Sequence, residues 1–229
     1  MSRTVQKPGS KGSLKWIQRA VGERWPGLDD PILARIPRAR SIEWRSPLVT
    51  DDYAEYRDED FLNRLDIGHL AAELRDFWPS RGPQWDALGR TDTGQLLLVE
   101  AKSHVAEMCS PGTAAATASK ERITARLKEV AGTLGVRSNG AAWTDFFYQL
   151  ANRLAHLQFL RDQDQPAYLV LVNFLNDAEM DGPETPEAWE AAYEVAFHVM
   201  GLPRRHKLSR YVIEVFPDVA GAKDANTPA

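Results

Sequence analysis

The chain has 229 residues, 43% hydrophobic and 26% charged, which is the composition of one ordinary globular domain. Its longest apolar runs, such as Leu96 to Val99 and Ala167 to Val172, fall far short of the ~20 residues of a membrane-spanning helix. The basic start, Met1 to Lys15, lacks the apolar stretch of a secretory signal, so a cytoplasmic location without a membrane partner is expected. A single cysteine, Cys109, excludes an internal disulfide and a thiolate zinc site, and a net charge of −4 excludes a uniformly basic nucleic-acid binder.

The charge is unevenly spread. Residues 1–50 carry ten Lys/Arg against four Asp/Glu, whereas residues 51–100 carry five against twelve and residues 151–200 two against nine. Residues 1–13 show no apolar periodicity and are expected to be a disordered basic arm, either a solvated tail or a segment that tracks phosphates. A disordered tail is expected over 220–229, which leaves 14–219 as a single domain.

Prolines at 26, 31, 37 and 47 argue against a long helix there, and Ser41 to Arg45 reads as a short edge strand. Phe61, Leu65, Leu70, Leu74 and Phe77 predict a helix over about 60–78, with a break at Gly68. Gln84 to Gly89 and Gln95 to Ser103 predict two strands around Thr91-Asp92-Thr93-Gly94, a hairpin signal. The second strand is apolar on both faces and belongs in the sheet interior. Helices follow over about 120–134 and 142–162, then a buried strand from Ala167 to Leu175, a helix from Pro186 to about 200 and a last strand from Tyr211 to Phe216. This order predicts an α/β three-layer sandwich, a mixed central sheet flanked by helices on both faces.

The chemistry concentrates in Asp86, thirteen intervening residues, then Glu100-Ala101-Lys102. Residues two apart on a strand share a face, so Glu100 and Lys102 point the same way. A three-residue loop, Asp92-Thr93-Gly94, with Gly94 left-handed, places Asp86 directly opposite Glu100 on that face. Two facing carboxylates repel unless a cation lies between them, and their oxygens suit a hard divalent ion such as Mg²⁺ or Mn²⁺. Lys102 beside such an ion orients the attacking water or neutralises charge developing on phosphorus, which points to phosphodiester hydrolysis. A second reading makes Asp86 and Lys102 a strand-end ion pair, with Glu100 solvated at a sheet edge.

Asp86, Glu100 and Lys102, with a preceding helix carrying Glu73 and a following helix carrying Gln149, resemble the PD-(D/E)XK nuclease superfamily over roughly residues 60–175. The chain departs from that pattern at Trp85, where a proline is usual. The resemblance implies the restriction-endonuclease-like fold, Mg²⁺-dependent cleavage of DNA or RNA, Asp86 and Glu100 as metal ligands and Lys102 as the catalytic lysine. It further implies supporting roles for Glu73 and Gln149.

His69, one helical turn before Glu73, and His104, on the Lys102 face if the strand continues, are further candidates. His156, His198 and His206 show no ligand spacing. Trp143 and Trp189 read as core, while Trp85 beside Asp86 is a candidate for base stacking. Phosphate-loop, nucleophile-elbow and dinucleotide motifs are absent from the sequence. The expected function is therefore a metal-dependent nuclease with a nucleic-acid partner. The alternative is a non-catalytic module of the same fold, and the oligomeric state stays open.

Overall fold

Every side chain of the run Leu96–Lys102 is buried, which requires a strand lying inside a sheet covered on both faces. The computed structural model describes residues 2–113, 115–136 and 141–222 and places this run as β5. Before it come β1 (Arg3–Thr4), α1 (Gly12–Gly22), α2 (Pro26–Arg35), β2 (Ile42–Ser46) and β3 (Glu55–Tyr56). Helices α3 (Asp58–Arg64) and α4 (Ala71–Phe77) and strand β4 (Ala87–Thr91) complete that half. After it come α5 (Thr117–Thr133), α6 (Ala141–Thr144), α7 (Tyr148–Asp162), β6 (Ala167–Asn173), α8 (Pro186–Val199) and β7 (Val212–Val215).

The five-stranded sheet has the order β2-β4-β5-β6-β7. The pairs β2–β4 and β4–β5 are antiparallel, and β5–β6 and β6–β7 are parallel. Alternation sorts the side chains into two cores. Leu97, Val99, Val170, Val172, Ile213 and Val215 pack with α1 and α2 through Ile17, Val21, Leu28 and Ile32. Leu88, Leu96, Leu98, Leu169 and Leu171 pack on the opposite face against α3, α4, α5, α7 and α8. The expected three-layer α/β sandwich with a mixed sheet is the observed architecture.

Several elements differ from the sequence reading. Residues 2–13 are not a loose arm. β1 pairs with β3, the Gly9 N–H donates to Gln18 Oε1 at 2.7 Å, and Gln18 Nε2 donates to the Lys7 carbonyl at 3.1 Å. Backbone pairing holds this segment, and apolar periodicity does not register such pairing. The prolines admit a ten-residue helix in α2, because Pro26 opens it where no N–H is needed, although Pro31 lies inside. The helix expected over 60–78 is split earlier than Gly68. Asp66, at φ 62°, closes α3 while the Ile67 N–H bonds the Leu62 carbonyl, the pattern of a left-handed helix cap. The helix expected over 142–162 is interrupted after Thr144, and Phe146, assigned to its apolar stripe, is 67% exposed. Of the tail, residues 223–229 lie outside the described residues.

Candidate active site

The hairpin turn sets the site. The Thr91 N–H bonds the Gln95 carbonyl and the Gly94 N–H bonds the Thr91 carbonyl, both at 2.9 Å, and Gly94 sits at φ 91°. That conformation favours glycine and makes the three-residue loop that the sequence anticipates. From it runs the register Arg90↔Leu96 to Ala87↔Val99, and Asp86 follows as a bend just outside β4, beside the Val99–Glu100 end of β5. The Asp86 N–H bonds the Val99 carbonyl at 3.2 Å, and Asp86 Oδ2 accepts the Ala101 N–H at 2.7 Å. Glu100 and Lys102 alternate in phase with Leu98, so they face α7, and Asp86 lines the same pocket.

These residues line one open pocket of about 290 Å³ together with Gln149 from α7, Glu107 and Ser110. Lys102 Nζ donates to Glu100 Oε1 at 3.0 Å and to Gln149 Oε1 at 3.4 Å, while the Gln149 N–H donates to Ser110 Oγ at 3.1 Å. Glu100 Oε2 accepts Arg153 Nε at 2.6 Å. The same guanidinium reaches the Gln84 carbonyl at 2.6 Å and stacks over Trp85 at 4.8 Å. Glu100 is thus a buried carboxylate with a cation on each oxygen. The alternative ion pair between Asp86 and Lys102 is replaced by pairs centred on Glu100, which lies in an interior strand and not at a solvated edge.

Electrostatics separate the two carboxylates. Burial works against ionisation of Glu100, yet Arg153 and Lys102 outweigh it and hold the carboxyl below its ordinary range. Burial, then the charges of Glu100 and Glu55, push Asp86 well above its ordinary range. Glu55, on β3, is itself raised by burial although Gln6 and Gln84 both donate to its Oε2, at 2.9 Å and 2.7 Å.

Of the five residues singled out by sequence, the pocket gathers Asp86, Glu100, Lys102 and Gln149. Glu73 lies on the exposed side of α4 and does not line it. The buried acid beside the pair is Glu55, for which a two-residue strand gives no sequence signal. Arg153 is also missed, although its spacing of four from Gln149 puts both on one face of α7. His69 is exposed, and β5 ends at Lys102, so His104 leaves that strand face and lies 3.7 Å from Glu107. Trp85 is fully buried beneath Arg153, which removes it as a stacking platform.

Asp86 and Glu100 fit a hard divalent cation as a two-carboxylate donor pair, since such an ion keeps several waters. The fit requires Lys102 to leave Glu100 Oε1. Among the described residues no three His, Cys, Asp or Glu side chains are grouped to hold a metal by themselves. The described residues also include no helix long and apolar enough to cross a membrane. Comparison with protein-family models, curated proteins and solved structures finds no match to this chain.

Proposed function

We propose that the protein is a cytoplasmic, metal-dependent nuclease that hydrolyses phosphodiester bonds of DNA or RNA, with Mg²⁺ or Mn²⁺ as its cofactor. The observation that carries this reading is the open pocket in which Asp86, just before β4, meets Glu100 and Lys102 of β5. Its resemblance to the PD-(D/E)XK pattern rests on those three residues and Gln149.

A divalent ion bound by Asp86 and Glu100 would supply Lewis acidity for a phosphoryl oxygen and a water activated for attack. Arg153 keeps Glu100 ionised and its carboxylate fixed, so it acts as a positioning residue. The raised pKa of Asp86 means that its carboxyl must give up a proton to become a ligand. Lys102, released from Glu100 Oε1 and steered by Gln149, places a positive donor where the pentacovalent phosphate gains charge. Glu55, behind the pair, is a further buried carboxyl whose charge helps to raise Asp86.

One observation favours the second reading, a non-catalytic module: Lys102 and Arg153 already neutralise Glu100. Incubation of the protein with single- and double-stranded DNA and RNA, with and without Mn²⁺, separates the two. The nuclease reading expects cleavage that needs the ion and falls about 100-fold or more in Lys102→Ala. Absence of ion-dependent cleavage in the wild type on every substrate would leave the binding module.

A further inference from the structure

A second and larger cavity, of about 1070 Å³, shares no residue with the catalytic pocket. It opens between β1, α3, α4 and the loop Trp78 to Arg81, with Arg122 of α5 at its rim and His156 of α7 at its floor. Five arginines line it against only two acids, Asp58 and Glu59. Arg81 is exposed, and its guanidinium has no partner among the described residues. Arg122 donates to the carbonyls of Arg75 and Asp76 and has no carboxylate partner among the described residues. Arg3, Arg57 and Arg75 pair with Asp51, Asp58 and Glu59, so the positive charge that suits a phosphate is that of Arg81 and Arg122.

The floor carries an unmet donor and an unmet acceptor. Trp78 is only 3% exposed, and its Nε1 is buried without a hydrogen-bond partner. His156 uses Nδ1 to reach the Asn152 carbonyl at 2.9 Å, so that nitrogen carries the proton and Nε2 is a bare acceptor. Burial holds the ring neutral, with its pKa pushed down to about 3. The two groups converge beside Gly82. A Cβ there would lie 3.3 Å from His156 Nε2 and 3.5 Å from Trp78 Cδ1, the carbon bonded to Nε1. A buried unmet donor is costly, and the edge of a nucleobase offers an acceptor for it together with a donor for the His156 nitrogen on the cavity floor.

We propose that this cavity is a nucleotide-binding subsite, in which the arginine rim holds a phosphate and a base edge bonds Trp78 Nε1–H and His156 Nε2. The proposal deepens the nuclease reading, on which it rests for the identity of the strand. Gln149 and His156 lie on one face of α7 seven residues apart, about 10 Å along the helix, or roughly three nucleotide steps of a strand. The subsite thus grips the substrate a few nucleotides from the bond being cut.

Isothermal titration of the full chain in EDTA, with the four nucleoside 5′-monophosphates, the nucleosides and inorganic phosphate, tests this without any cleavage. At least one nucleotide is expected to bind about tenfold or more tightly than phosphate or its own nucleoside. Arg81→Glu should weaken nucleotide and phosphate alike by about tenfold or more. Gly82→Ala, which fills the space between the polar pair, should abolish the preference for nucleotide and leave phosphate binding intact. Trp78→Phe, which keeps the ring and deletes the N–H, should do the same if Gly82→Ala fails to fold. No nucleotide binding, or a nucleotide preference untouched by the floor variants, would overturn the subsite. Because divalent ions are absent, either result is independent of whether Lys102 supports cleavage.

Discussion

Arg153 Nε and Nη2 both lie 2.6 Å from the same atom, Glu100 Oε2, inside a helix whose residues from Leu150 to Leu160 are all buried. A guanidinium enclosed in this way is tolerated because Glu100, the Gln84 carbonyl and Asn152 Oδ1 occupy its donors. Removing it strands a buried carboxylate with Lys102 alone. Arg153→Ala should therefore cost about 3 kcal/mol in urea unfolding, and Glu100→Gln in the same background should recover part of that loss. Additive losses in the double-mutant cycle would mean that the pair is not coupled.

Asp86 has the opposite balance. Its folded-state pKa is raised, so the native state holds a proton that the unfolded chain has released. Stability contributed by this group is therefore lost as pH rises from the ordinary carboxylate range through the raised value. Asp86→Asn should flatten that fall and stabilise the metal-free protein at pH 7, measured as the urea midpoint across a pH series. A variant less stable than wild type at pH 7 would contradict the repulsion assigned to Asp86, Glu100 and Glu55.

His156 acts in the other direction. Its native pKa of about 3 lies below the ordinary 6.5, so between those values the unfolded chain takes up a proton that the native ring refuses. Stability then falls as pH drops, by about 1.4 kcal/mol per pH unit from this residue. His156→Gln should shallow the acid limb of the pH–stability curve, whereas an unchanged limb would show that the ring is protonated in the folded state.

The amino-terminal segment gives a fourth test of stability. Gln6 donates to Glu55, and β1 hydrogen-bonds β3 next to the carboxylates Asp86 and Glu100. Deletion of residues 2–11 should lower stability by about 1 kcal/mol or more, because it leaves buried Glu55 short of a donor. A deletion that leaves the thermal midpoint unchanged would return the segment to the status of a solvated tail.

The hairpin was legible in the sequence because its determinants are local. Gly94 fixes the loop, and the loop fixes the partner of every residue from Arg90 to Ala87. Gln149 was reached through the resemblance, which expects a polar residue on the helix after the second strand, and it lines the pocket. Glu73 misled because its helix restarts after the left-handed turn at Asp66, and α4 presents it to solvent. Glu55 and Arg153 were hidden for a different reason. Glu55 is brought to the site by a two-residue strand held between β1 and a bridge from Tyr56 to Trp85, and the burial of Arg153 depends on a carboxylate 53 residues away in sequence. Both positions are set by tertiary contacts that periodicity does not encode.

The claim on which the mechanism depends is that Asp86 and Glu100 share a divalent cation, with Lys102 competing for one oxygen of Glu100. Calorimetric titration with Mn²⁺ of wild type, Asp86→Asn and Lys102→Met measures this directly. One ion should bind the wild type with release of protons from Asp86, Lys102→Met should bind it more tightly because Glu100 Oε1 is freed, and Asp86→Asn should lose it. Absence of binding by the wild type and Lys102→Met, or binding that survives Asp86→Asn unchanged, would contradict the account.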